Sequence, residues 1–149
     1  MKIIYYIFAI CLFKLNFAYG LIEVDITRGN LDPLPIAVSP LHVDTQSDNY
    51  QEVKVKQLGD LISSVVEKNF KSTGLFNPLN KDAFVQKPDI AHLKPRFEDW
   101  SLITAQALVT GKILIKDEKL KVEFRLWDVA ANKEMIALAF TTTPSNWRR

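Results

Sequence analysis

The sequence contains one cysteine, two histidines and five glycines among its 149 residues. A single cysteine, Cys11, excludes a disulfide framework within the chain. We predict no metal centre, because a zinc site needs three or four clustered N, S or O ligands and the sequence has few histidines and cysteines. The sequence has no G-x-G-x-x-G, P-loop or G-x-S-x-G motif, so phosphate cradling and nucleophilic serine chemistry have no support.

The composition is that of one globular domain. Hydrophobic residues make up 48% of the chain and charged residues 24%, which is typical of a folded protein and excludes collagen-like and disordered classes. The length is sufficient for one domain with a substantial core.

The first twenty residues have the pattern of a secretory signal. Lys2 is followed by an apolar run over residues 3–13, and Ala18 and Gly20 supply small residues for cleavage after Gly20. The run is too short to span a bilayer, which takes about 20 residues. We therefore predict a signal peptide over 1–20 and a secreted mature domain over 21–149. The alternative is an N-terminal core element of a cytosolic protein.

Cleavage at this position would change the charge of the chain. The full sequence carries a net charge of +2, and Lys2 and Lys14 account for all of it. A neutral mature chain gives no electrostatic reason to bind nucleic acid or anionic membranes. We therefore predict no nucleic-acid partner and no direct membrane insertion after cleavage.

Hydrophobic periodicity predicts one long helix and one short helix. A capping-box start at Asp48–Gln51 precedes apolar residues at helical spacing up to Phe70, and Gly74 is suited to end this helix. Residues 75–96 contain three prolines and are expected to form an irregular connection. A short helix over 97–106 would follow, with Trp100 facing inward.

Strands are predicted on both sides of these helices. Residues 21–27 alternate between apolar and polar side chains, and 34–41 form an apolar run that Pro40 should end. After 107–116 and a turn, residues 120–127 alternate with a period of two, and a last strand carries Ile136, Leu138 and Phe140. The fold class is therefore α/β: a mixed sheet of about five strands with both helices on one face and an antiparallel C-terminal meander.

Candidate chemical groups are few and scattered. His42 and His92 are fifty residues apart and lack metal-ligand spacing, so both are interpreted as loop residues. Glu98 and Asp99 stand at a helix start, where acids favour the helix dipole. A basic stretch over 112–125 is interpreted as a solvated sheet face. No catalytic residues are predicted, no cofactor is implied, and the chain is expected not to be an enzyme.

Six stretches, in this order and spacing, make the chain resemble the amino-terminal domain family of TolB, the periplasmic component of the Tol–Pal system. They are Pro35–Pro40 (PIAVSP), Ser72–Leu79 (STGLFNPL), Asp99–Trp100, Ala105–Gly111 (AQALVTG), Val122–Val129 (VEFRLWDV) and Thr143–Arg149 (TPSNWRR). The resemblance covers nearly all of 21–149. It implies a periplasmic location and a role in outer-membrane integrity, cell division and protein import.

The same resemblance implies that an N-terminal arm engages TolA. The arm corresponds to Leu21, Ile22, Glu23, Val24, Asp25, Ile26 and Thr27. Strand addition is the physical mode expected for such an alternating segment. The alternative for the same residues is an internal edge strand, and the two can be states of one arm.

The chain departs from the family at its C-terminus. In the family, the stretch beginning at Asn146 starts a long helix that packs on the sheet and leads into a β-propeller, whereas this sequence stops at Arg149. We therefore expect uncovered apolar sheet surface, and Pal binding only if a propeller is present. The alternative function is that of a non-functional fragment of a split or decayed tolB-like gene.

Overall fold

The computed structural model describes residues 32–45, 52–116 and 119–148. The predicted signal peptide and the 21–27 strand lie outside these residues. The described strands are β1 (Leu34–Val38), β2 (His42–Thr45), β3 (Phe76–Pro78), β4 (Ala107–Lys116), β5 (Lys119–Asp128) and β6 (Lys133–Thr142). The helices are α1 (Glu52–Ser72), α2 (Pro88–Ala91) and α3 (Phe97–Leu102), with a 3₁₀ turn at Lys81–Ala83.

One mixed sheet organises these elements. Its strand order is β3-β1-β4-β5-β6, and β2 pairs with β4 beyond the end of β1. β1 is parallel to β3 and β4, and β2 is parallel to β4. The β4-β5-β6 part is antiparallel. The mixed α/β sheet and the C-terminal meander are therefore confirmed.

The expected strand number was too low. The described residues form a six-stranded sheet, because β2 lies partly in the predicted polar loop and β3 in the predicted irregular connection. These strands have four and three residues, which is too short for a period of two to be recognised. Backbone pairing with β4 and β1 defines them instead.

The long helix agrees with its prediction. Ile62, Val66 and Phe70 are one helical turn apart and pack, with other residues of α1, against the sheet. Close approach is possible because Gly59 has no side chain; a Cβ there would lie 2.9 Å from the Leu41 oxygen. The chain leaves α1 at Gly74, whose φ of 71° is the left-handed conformation that glycine adopts without strain.

The short helix α3 lies on the opposite face of the sheet. Its Trp100 packs in a buried cluster with Ala37, whereas Ile36 and Val38 pack in the cluster that Val66 and Phe70 contact. Successive strand residues point to opposite faces. The prediction that both helices share one face was therefore wrong, because periodicity identifies the buried side of a helix but not the sheet face that covers it.

A buried glutamine organises the connection between β3 and β4. The Oε1 atom of Gln86 accepts hydrogen bonds from Trp100 Nε1 and from the Arg96 backbone N–H, both at 2.9 Å. Its Nε2 atom donates to the Lys94 carbonyl at 3.3 Å. The connection thus has a fixed path, although only short pieces of it are helical.

Candidate functional site

The C-terminal edge strand presents an uncovered apolar surface. Ile136, Leu138 and Phe140 of β6 are 49%, 53% and 54% exposed. They pair in register with Leu126, Phe124 and Val122, so they continue the sheet face that α1 covers further along. Uncovered apolar sheet surface was expected from the sequence, and these exposures confirm it.

A groove runs between this strand and the long helix, and we call it the α1–β6 groove. One part has a volume of about 240 Å³ and is lined by Val66, Phe70, Val109, Phe124, Arg125, Leu126, Ile136 and Leu138. A second part of about 200 Å³ extends past Ile62 and Phe140 to Trp147. Contiguous exposed apolar surface of this kind marks interaction sites on proteins.

The edge of β6 adds backbone groups to this surface. Among the described strands, β6 pairs only with β5, so its outer edge offers N–H and C=O groups. Natural edge strands are usually interrupted by proline or charge. Here the charged residues, Lys133 and Glu134, stand at the start of the strand, and eight uncharged residues follow over 135–142. The edge is thus suited to bind an apolar segment.

The opposite face of the same strands carries ion pairs. Lys121 and Lys112 both contact Glu123, with N–O distances of 2.7 and 3.6 Å, and Arg125 lies 3.6 Å from Glu134. The Lys121 hydrogen bond is the largest cause that lowers the pKa of the Glu123 carboxyl. The basic stretch is therefore a solvated face with paired charges, as predicted.

The two histidines meet in space. The His42 ring at the start of β2 stacks on the His92 ring directly after α2, with centroids 4.1 Å apart and planes 1° from parallel. The interpretation as loop residues holds for His92, which lies in the turn after α2, and is wrong for His42, which begins β2. Fifty residues of sequence separate them. The parallel pairing of β2 with β4 positions His42, and the packing of α2 against these two strands brings His92 to it.

Comparison with known proteins identifies the family. The model of the TolB amino-terminal domain matches residues 22–135. The chain belongs to this family. It is 68% identical over 134 residues to the Tol-Pal system protein TolB of Pelagibacter ubique strain HTCC1062, a match that covers 89% of this chain and 30% of that protein. The chain thus spans less than a third of the length of this TolB.

Solved structures share the fold of this TolB-family domain. The crystal structure of TolB from Acinetobacter baumannii superimposes with a TM-score of 0.52 and 18% identity, over 76% of this chain and 24% of that one. The C-terminal domain of LpoB from Salmonella enterica gives 0.55 and 8%, over 78% of this chain and 87% of that one. At these identities the likeness concerns the fold alone.

The site residues predicted for the TolA contact, 21–27, all lie outside the described residues, so the arm stays a prediction. Of the carboxylates considered, Asp99 pairs with Arg96 at 2.6 Å at the start of α3. Within the described ranges, no group of three or more His, Cys, Asp or Glu residues could hold a metal ion. No helix in that part of the chain is long and apolar enough to cross a membrane.

Proposed function

We propose that the chain is a periplasmic, non-enzymatic protein-interaction module of a Tol–Pal system. Family membership and the 68% identical Tol-Pal system protein TolB support the system. The observation in the structure that carries an interaction role is the α1–β6 groove, an apolar surface that the helix beginning at Asn146 in the family, or a partner segment in its place, would cover. The residues that line its part of about 240 Å³ include no carboxylate, imidazole, hydroxyl or thiol, and the second part adds the hydroxyl of Thr142. The groove is therefore suited to bind apolar side chains rather than to transfer protons.

The proposed TolA contact is the arm over residues 21–27. In an extended conformation Ile22, Val24 and Ile26 would fall on one side of the segment, and its backbone would pair with a strand of TolA. The sequence alternation and the family resemblance support this assignment.

A binding titration tests the arm. The mature chain is compared with a deletion of 21–27 and with a triple variant, Ile22→Glu, Val24→Glu and Ile26→Glu, against the periplasmic part of TolA. We expect the triple variant to weaken binding at least about a hundredfold, because each buried apolar side chain stabilises by about 1.5–3 kcal/mol. The matched control, Glu23→Gln with Asp25→Asn, should stay within about threefold of the parent, since it changes charges on the other side of the segment. Unchanged TolA binding after the deletion would refute the assignment.

The roles in outer-membrane integrity, cell division and protein import are proposed at the level of the whole system. Pal binding is proposed only where a propeller accompanies this domain. A complementation experiment in cells lacking their own TolB separates these contributions. The chain alone should leave detergent sensitivity uncorrected, whereas the same chain continued into a propeller should correct it; correction by the chain alone would contradict this division of labour.

The fragment alternative makes a different prediction. The chain spans 30% of the length of its Pelagibacter relative, and its groove is uncovered. Mass spectrometry of the native periplasmic product distinguishes the cases. A stable product that starts at Leu21, ends at Arg149 and binds TolA supports an independent module. Peptides beyond Arg149 place the function with a larger protein, and the lack of any product favours the fragment.

A further inference from the structure

The stacked histidines join two elements that have little else to hold them together. His42 begins β2, opposite Lys112 of β4 in the parallel register. His92 follows α2, a helix of four residues whose N-cap, Lys87, makes no side-chain cap hydrogen bond. Ile90 and Leu93, the large apolar residues of this segment, are exposed, and Ala91 is its buried anchor.

Charged groups of both signs surround the pair. Asp44 of β2, Asp89 of α2 and Lys112 of β4 act on the His42 ring. On the other side, His92 and Leu93 line a cavity of about 80 Å³ together with Lys112, Glu123 and Arg125. The nearby carboxylates favour an imidazolium, whereas burial, the second ring and the cations oppose it.

The neutral form is the one that suits this geometry. Burial and then the charge of His92 are the largest causes that lower the pKa of His42, and they outweigh the attraction of Asp44 and Asp89. His92 Nδ1 lies 3.0 Å from the Pro88 carbonyl oxygen. At that distance an Nδ1–H of the ring can donate to this carbonyl, which links the His92 side chain to the start of α2.

We propose that the His42–His92 stack is a proton-sensitive latch, which holds residues 87–94 against β2 and β4 while the His42 ring is neutral and weakens that contact as His42 takes up a proton. Two imidazoliums at this separation would repel each other. A charged ring is also less hydrated in the closed segment than in the open one, so a positive charge favours opening. Opening would widen the cavity beside His92. The Gln86 hydrogen bonds to Lys94, Arg96 and Trp100 would hold the far end of the segment in place. This latch is independent of the proposed Tol–Pal function.

The direction of the effect follows from proton linkage. A lowered pKa means that the closed segment binds fewer protons than the open one. Above the ordinary histidine pKa of 6.5, both forms are neutral, so pH has no effect on opening through this pair. As the pH falls below that value, the open form takes up protons first, and opening becomes more favourable.

Amide hydrogen exchange of the mature chain tests the latch. Exchange over 87–94 is measured at pH 7.5, 6.5, 5.8 and 5.0, corrected for the intrinsic pH dependence, with residues 107–114 of β4 as the internal reference. We expect the opening constant of 87–94 to rise below pH 6.5 by up to about tenfold per pH unit for each extra proton bound, while the β4 reference changes less. Equal opening at pH 7.5 and 5.0 would overturn the proposal.

Two variants supply the matched control. His42→Phe and His92→Phe keep an aromatic ring in the stack but remove a site of protonation, so the rise should shrink in each single variant and vanish when both are combined. An unchanged rise in the double variant would overturn the proposal. Because a variant can fail to fold, the parent's own rings are also titrated by NMR. The His42 ring should titrate below the ordinary histidine pKa, whereas a His42 titration at the ordinary value would refute the latch.

Discussion

The indole of Trp127 donates a hydrogen bond from Nε1 to the hydroxyl of Thr110 at 2.8 Å, and both side chains are buried. A register shift between Leu126 and Trp127 interrupts the β5–β6 ladder at this point, and the Trp127 ring packs edge to face on Phe97 with centroids 5.8 Å apart. The pair therefore ties the central antiparallel strands to the start of α3.

We expect Thr110→Val to reduce the free energy of unfolding by about 1–3 kcal/mol, because it leaves a buried indole N–H without a partner. Thr110→Ser keeps the hydroxyl and should cost less, about the value of one buried methyl group. Urea unfolding followed by tryptophan fluorescence measures both. Equal losses in the two variants would show that packing, and not the hydrogen bond, is what the threonine contributes.

Gln86 should be at least as sensitive to substitution. Gln86→Met keeps the approximate side-chain length but leaves the Trp100 indole and the Arg96 amide, which both donate to Oε1, without an acceptor. The expected loss in the free energy of unfolding is about 2 kcal/mol or more, since each unsatisfied buried donor costs about 1–3 kcal/mol. The matched control is Gln106→Met, an exposed position where about ±0.5 kcal/mol is expected. An equally small change in the free energy of unfolding for Gln86→Met would contradict the view that its hydrogen bonds stabilise the connection.

The Glu123 ion pairs predict a defined acid sensitivity. Because the Lys121 hydrogen bond holds the folded-state pKa of Glu123 below its ordinary value of 4.5, the folded chain binds fewer protons there than the unfolded chain. The contribution to stability is present above pH 4.5 and is lost as the pH falls through the lower folded-state value. Urea midpoints between pH 6 and 3 should fall less steeply in Glu123→Gln than in the parent. Parallel slopes would mean that the pair contributes nothing measurable.

The parts of the fold that periodicity could predict are those that carry their own pattern. Ile62, Val66 and Phe70 repeat at helical spacing, and 120–127 alternate over a whole strand, so α1 and β5 were predicted with nearly the observed bounds. β2 and β3 have no period of their own. They exist because β4 and β1 offer backbone partners, which no local pattern shows.

The candidate sites differ in the same way. The uncovered surface of β6 could be expected, because Ile136, Leu138 and Phe140 share one face of a strand. The His42–His92 stack could not, because a contact between residues fifty apart depends on the parallel pairing of β2 with β4. The path of the connection that Gln86 holds also determines which sheet face α3 covers. The hydrophobic pattern of a helix contains no information about that path.

The α1–β6 groove should bind an apolar probe. We expect the parent chain to enhance the fluorescence of an anilinonaphthalene dye under native conditions, because Ile136, Leu138 and Phe140 form a contiguous exposed apolar strip. Replacing the three by threonine should abolish most of this signal. The free energy of unfolding should change by no more than about 1 kcal/mol, since these side chains are already half exposed and threonine suits a strand.

The control for the groove uses the other face of the same strand. Ala137→Thr with Ala139→Thr changes β6 by the same chemistry at exposed positions that alternate with the apolar strip. The dye signal should persist in this variant. If the dye signal fell equally in both variants, the dye would be reporting the edge of β6 or partial unfolding. That result would contradict the groove as the interaction surface. If it fell only in the first, then the strip formed by α1, β5 and β6 is the apolar site that a partner segment would cover.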